Sequence, residues 1–169
     1  MTPVCEDPVL PGKPRTSRWW ILVRLPIICT VVVVVGLGVL SAMSNAPTLG
    51  ATDGQLTPCP ARPNCVCSMD PEAKSGPITP LAFTGDPTEA LQRLKKAVLT
   101  LPRMRLIEES QGYLRFEATS RIFRFRDDVE FLLDEKAQVI HVRSASRVGY
   151  GDMGVNRARV EKIRAKFGS

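Results

Sequence analysis

Histidine is almost missing from this chain: His141 is the only one in 169 residues. A single imidazole rules out metal centres or proton relays that need several. Aromatic residues are also few, at 6%, and the net charge of +6 is spread along the sequence. Nucleic-acid surfaces need a basic stripe or aromatic stacking platforms, so no nucleic-acid partner is predicted. The cysteines offer no zinc pattern, because Cys59-x5-Cys65-x-Cys67 has the wrong spacing and no histidine nearby. No cofactor and no metal are therefore predicted. No cysteine stands where a lipoprotein signal would require one.

Charge is absent from Leu25 to Met43. With Ile21–Val23 this run reaches the length of about 20 residues that a bilayer crossing requires. Arg24 lies near enough to its end to snorkel, Trp19 and Trp20 suit a membrane interface, and Pro26 falls in a first turn that tolerates it. Bases are also missing from the outgoing flank, Ser44–Asp53, whereas Lys13, Arg15 and Arg18 precede the run. The positive-inside rule then gives a single-pass chain with its N-terminus cytoplasmic and its C-terminal part in the periplasm. A cleaved signal peptide is the rival reading. Its apolar region is normally 7–15 residues long, and a cut after Ala46 would leave Pro47 first.

The expected organisation is a tail over 1–18, an anchor over 19–43, a linker over 44–55 and an extracytoplasmic domain over 56–169. The domain opens on Thr57-Pro-Cys-Pro-Ala-Arg-Pro-Asn-Cys-Val-Cys-Ser68, whose prolines predict a rigid loop. Oxidised cysteines are expected outside the cytoplasm. Cys59 and Cys65 can close a short loop, with Cys67 left over, because Cys65 and Cys67 are too close for a relaxed bridge. A thiolate site and free thiols remain open alternatives.

Asp86-Pro87-Thr88-Glu89 starts a helix, with cap, first-turn proline and acid in order. Leu91, Leu94, Val98 and Leu101 follow at helical spacing, and Pro102 stops it. Two predicted hairpins come next. Arg105–Ser110 and Tyr113–Thr119 flank Gln111-Gly112, placing Ile107 opposite Phe116 and Glu108 opposite Arg115. Ile122–Asp134 and Gln138–Arg147 flank Glu135-Lys136-Ala137. There, Phe131 faces Ile140, Val129 faces Val142, Asp127 faces Ser144, Phe125 faces Ser146, Asp128 faces Arg143 and Glu130 faces His141. The inward face turns polar at Asp127, Ser144 and Ser146, so a buried network or a cleft is expected there. Asp152 reads as the cap of a last helix reaching about Phe167. That acid weakens any phosphate site at the helix start. Arg157, Arg159, Lys162, Arg164 and Lys166 read as a solvated basic face.

Three stretches carry a family resemblance: Cys-Pro-x-x-Pro-Asn-Cys-Val over 59–66, Asp127-Asp-Val-Glu130, and Arg143-Ser-Ala-Ser-Arg-Val-Gly-Tyr-x-Asp-x-Gly-Val-Asn-Arg157. Together they resemble the bacterial and plant DUF1499 family of unknown function, over about residues 56–167. The resemblance implies N-terminal anchors and supplies no reaction. It also implies that the position of Cys67 is more often Ser, which supports pairing Cys59 with Cys65. The motif residues that match are Asp127, Asp128, Arg143, Ser144, Ser146, Arg147, Tyr150, Asp152, Asn156 and Arg157.

The expected fold is a two-layer α+β domain, a four-stranded antiparallel meander with two helices on one face, preceded by one transmembrane helix. The expected function is a binding or structural module whose polar cluster is built on those ten motif residues. Its partners are the bilayer, through 19–43, and a small ligand or a membrane protein. A hydrolase-like enzyme is the alternative, with Ser144 or Ser146 as nucleophile, Asp127 as acid/base and Arg147 at the oxyanion. In this register His141 lies on the opposite face, so no Ser-His-Asp triad forms.

Overall fold

The computed structural model describes residues 19–42 and 49–168. The predicted tail over 1–18, with Cys5, and most of the first half of the linker lie outside the described residues. Helix α1 runs from Trp19 to Ala42 and contains Pro26. Its described side chains, from Val23 to Val39, are almost all apolar and nearly all exposed. Among the described residues no helix is long and apolar enough to cross a membrane.

The second part of the chain is α+β. After a small hairpin of β1 (Ala51–Thr52) and β2 (Gln55–Leu56) come β3 (Cys65–Cys67), β4 (Leu81–Ala82) and α2 (Pro87–Leu99). The run β5 (Met104–Ser110), β6 (Tyr113–Thr119), β7 (Arg126–Asp134) and β8 (Val139–Ser146) follows, and α3 (Val155–Phe167) closes the fold. The main sheet has six strands, not four. The meander β5–β8 is present, but β3 and β4 both pair along the outer edge of β8, end to end. Strands of two and three residues are too short to carry the period-2 pattern by which a strand is read from sequence.

α2 forms as its sequence demands. Asp86 accepts a hydrogen bond from Glu89 N at 2.9 Å, and Ala90, Leu91, Leu94 and Val98 are buried. They meet Leu114, Phe116, Val129, Phe131, Ile140 and Val142 from the sheet, and Val160 and Ile163 from α3. Phe116 and Phe131 meet edge to face at 6.0 Å. Both helices thus cover one face of the sheet, as expected.

The registers differ from expectation in two places. Glu108 does face Arg115, but Leu106, not Ile107, faces Phe116, because a bulge absorbs one residue between Leu106 and Glu108. That bulge interrupts β5, the outermost strand on this side of the sheet, where an unbroken edge would invite pairing with another chain. In the second hairpin every partner is displaced by two: Phe131 faces Val142, Val129 faces Ser144, Asp127 faces Ser146, Asp128 faces Ala145, Glu130 faces Arg143 and Leu132 faces His141. Phe125 lies before β7 and has no partner in it. The cause is the turn. It holds four residues, 135–138, with Gln138 at φ 55° and Asp134 Oδ1 accepting from Ala137 N at 3.0 Å. A shift of two preserves which face each side chain occupies.

The face away from the helices is not bare. The chain on either side of β3, between Leu49 and Asp70, lies over it, with Leu56, Cys67 and Tyr113 buried together beside Cys59, Met69 and Leu132. Cys59 and Cys65 form a disulfide, and Cys67 is a free, buried thiol whose pKa burial pushes up.

Leu94 sits at the meeting of both helices and the sheet with no exposed surface. Leu94→Ala is expected to cost about 2–5 kcal/mol, measured by denaturant unfolding. A loss below about 1 kcal/mol would show that this layer is not closely packed.

Candidate functional site

Successive residues of a strand point to opposite faces. The motif on β7 and β8 is therefore divided between two networks. On the helix side Asp127, Ser144 and Ser146 meet α3. Asn156 is fully buried at their centre. Its Nδ2 donates to Asn64 O and to Ser146 Oγ, each at 3.0 Å, and its Oδ1 accepts from Ser144 Oγ at 2.7 Å. Arg159 donates to Ser144 Oγ at 2.9 Å and pairs with the carboxylate of Asp127. Asn64 extends the network, donating through Nδ2 to Gly149 O at 3.0 Å.

Asp152 caps α3 from further out than expected. The helix starts at Val155, preceded by Gly154 at φ 79°. The Asp152 carboxylate accepts from Gly154 N at 3.0 Å and Asn156 N at 2.8 Å. An acid on these N–H groups leaves little for an external anion.

Of the basic face of α3, Lys162 and Lys166 are exposed as expected, but the three arginines are engaged by the rest of the domain. Arg157 donates to the carbonyls of Ser75 and Gly76 at 2.8 and 3.0 Å. Arg164 donates to those of Thr79 and Pro80 at 2.6 and 2.8 Å. Two guanidiniums thus tie the helix to a loop that lacks regular partners of its own, and Arg159 ties it to β7 through Asp127. Backbone carbonyls in irregular segments need donors from somewhere.

On the other face, Arg147 holds Asp128 through two parallel bonds of 2.8 Å and reaches Glu117 at 2.9 Å. The side chains of Arg147, Asp128 and Glu117 are 4, 2 and 9% exposed. Arg105 adds a second guanidinium to Glu117 at 3.1 Å. Arg143 pairs with Glu130 at 2.7 Å, and Tyr113 Oη donates to the same carboxylate at 2.8 Å. Burial, then the Glu130 charge and its hydrogen bond, push the Tyr113 pKa up. Burial works against ionised Glu117, but the hydrogen bond from Arg105 and the charges of Arg147 and Arg126 outweigh it and lower its pKa. The bidentate Asp128 raises that of Arg147.

The ten motif residues therefore do not form one cluster. Asp127, Ser144, Ser146, Asp152 and Asn156 come together on the helix side. Asp128, Arg143 and Arg147 lie on the other face. Tyr150 is 75% exposed, and Arg157 serves the 75–76 turn. Sequence reasoning missed Asn64, Tyr113, Glu117, Glu130 and Arg159 as partners. Arg159 was legible in principle, since it lies one helical turn after Asn156.

The serines have little freedom for nucleophilic chemistry. Ser144 is fully buried, and its oxygen both donates to Asn156 and accepts from Arg159. Ser146 Oγ accepts from Asn156. His141 is across the sheet, with Nδ1 at 3.2 Å from Ser68 Oγ. Among the described residues no group of His, Cys, Asp and Glu could hold a metal ion.

Two grooves border the networks. One, of about 340 Å³, runs between Pro63, Val66, Gly151, Asp152 and Arg157. The other, of about 380 Å³, lies between the disulfide loop and the end of β8, lined by Pro58, Pro60, Arg62, Asn64, Ser146 and Arg147 among others. Arg143 and Asn64 both line the second groove, and Arg143 Nε and Asn64 Oδ1 are buried polar atoms without a partner.

A family model described as a protein of unknown function, DUF1499, matches residues 55–167, and the chain belongs to that family. No curated protein matches the chain.

Removing Arg147 would leave Asp128 buried without its guanidinium and Glu117 with Arg105 alone. Arg147→Ala is expected to cost about 3–5 kcal/mol in denaturant unfolding; a loss under about 1 kcal/mol would show that the pair is not dry. Acid should act through Glu117. Its folded pKa lies below the 4.5 of an unperturbed glutamate. The stability it contributes is therefore complete above the unfolded value and is lost as pH falls through the folded one. Chemical-denaturation midpoints of the wild type are expected to fall more steeply below about pH 4.5 than those of Glu117→Gln. Parallel curves would contradict this.

Proposed function

We propose that this protein is a membrane-anchored periplasmic binding module. In this reading the family motif builds the scaffold, and the groove beside the disulfide loop receives the ligand. The observation that carries the binding role is the pair of unpartnered buried atoms, Arg143 Nε and Asn64 Oδ1, on residues lining that groove. Buried polar groups are nearly always hydrogen bonded, so an unmet donor and acceptor beside one groove favour an external partner that offers both. Exposed Arg62 at the rim adds a charge that could steer it.

The anchor is supported by the uncharged run 25–43, the interfacial Trp19-Trp20 pair and the bases confined to the preceding side. Helix α1 exposes apolar side chains all round, from Val23 and Leu25 to Leu37 and Val39, as a segment surrounded by lipid would. The Cys59–Cys65 disulfide agrees with an oxidising compartment.

One preparation tests both parts. The full chain is expected to stay with membranes through alkaline carbonate and, after mild detergent extraction, to show an added mass by native mass spectrometry. Arg62→Glu, a change at an exposed position, is expected to lose that mass. Release by carbonate would contradict the anchor. A bare polypeptide mass in both proteins would leave the groove without its assigned role.

A further inference from the structure

The end of the sheet where β7 begins and β8 finishes carries apolar side chains that the fold does not use. Arg147 N donates to Arg126 O at 3.2 Å, and Asp127 pairs with Ser146. The loop 120–125 and the loop 147–154 therefore emerge side by side. Ile122 is 77% exposed on the first, and Met153 is 103% exposed on the second, near exposed Tyr150. Isolated exposed apolar residues are ordinary, but several on adjacent loop tips mark a contact surface.

The first loop is built to hold its tip outward. Ser120 N donates to Phe125 O at 2.9 Å, and Phe125 N donates to Ser120 Oγ at 2.8 Å. Phe123 stacks on Phe125 at 5.5 Å, and Arg124 turns the chain at φ 53°. Arg121 and Arg124, both exposed, flank the tip. Neither loop contains an acid except Asp152, whose carboxylate is turned onto Gly154 N and Asn156 N. Apolar tips among exposed guanidiniums match a lipid surface with anionic headgroups: the apolar groups enter the acyl boundary and the charges stay at the phosphates.

The chain also arrives at this end. Leu49 and Thr57 line one groove with Ser146 and Arg147, while Gly54, between them, lines another with Gln111, Gly112 and Lys136 at the far end. The strand pair β1–β2 thus runs down the sheet and back, and Leu49 marks the tether end. Leu49 is seven positions after Ala42, and seven residues reach about 25 Å at most. We propose that the tips of the 120–125 and 147–154 loops dock the domain onto the anionic surface of the bilayer that holds α1. The inference rests on the proposed anchor for the tether, and on the loops themselves for the surface.

The test uses the full chain with Trp19→Phe and Trp20→Phe, which removes both tryptophans, and one reporter at a time: Ile122→Trp, Met153→Trp, or Lys136→Trp at the opposite end. Each protein is placed in vesicles of phosphatidylglycerol and brominated phosphatidylcholine. Reporters 122 and 153 are expected to be blue-shifted and quenched at least about twofold by bromine, and 136 to be unaffected. Going from about 0.1 to 1 M salt, which shortens the screening length from about 10 to 3 Å, should weaken the quenching. No quenching at 122 and 153 in a chain that resists carbonate would overturn the docking and leave the anchor standing. Stronger quenching at 136 would overturn it too. So would a blue shift seen only in native membranes and never in protein-free vesicles, which would assign the surface to a protein. A chain that carbonate releases, but whose 122 and 153 reporters are quenched on anionic vesicles beforehand, would uphold the docking and remove the anchor.

Discussion

The fold depends on burying charge on both sides of one sheet without leaving any of it unpaired. β8 and the residue that follows it carry Arg143, Ser144, Ser146 and Arg147 alternately to the two faces. On one face two arginines meet three carboxylates, and on the other an asparagine and an arginine of α3 meet two serines and an aspartate. A buried pair contributes little net stability over an apolar replacement, but removing half of it is severe. Its value here is geometric. The network on one side fixes the placement of α3 through Asn156 and Arg159, and the network on the other fastens β5, β6, β7 and the end of β8 to one another.

That constraint explains why so polar a motif yields so little free reactivity. Most of the groups that look chemical in the sequence are spent on one another. Ser144 has given its hydroxyl to Asn156 and Arg159, and Asp152 has given its carboxylate to the start of α3. What is left for the outside lies at the margins: the groove under the disulfide loop and the loops at the end of the sheet.

Much of the helix side was legible in the sequence. Asp86-Pro87 and the Leu91–Leu94–Val98 stripe set α2, and apolar alternation set the inward faces of β6, β7 and β8. The hairpin register slipped by two because a left-handed Gln138 lengthens a turn that contains no glycine to announce it. The parity survived, since only an even shift keeps Phe131 and Val142 inside. The opposite face was not legible. Tyr113, Glu117 and Glu130 alternate with apolar neighbours just as solvent-facing residues do, and the chain that covers them, on either side of β3 between 49 and 70, has prolines and short strands but no period. Only the structure shows that this cover makes Glu130 a buried residue needing Arg143. The same holds for Arg157 and Arg164, which a helix of mixed charge presents as surface until the carbonyls of 75–80 are placed beside them, and for Arg159 until Asp127 is.

The central claim, that the motif is a clamp of mutually dependent buried pairs, is most directly tested by a double-mutant cycle on Asp128 and Arg147, using Asp128→Ala, Arg147→Ala and the double variant in denaturant unfolding. A buried bidentate pair predicts strong non-additivity, the double variant recovering at least about 1.5 kcal/mol of the summed losses. Losses that simply add, within about 0.5 kcal/mol, would contradict the account, because they would mean the two residues do not depend on each other.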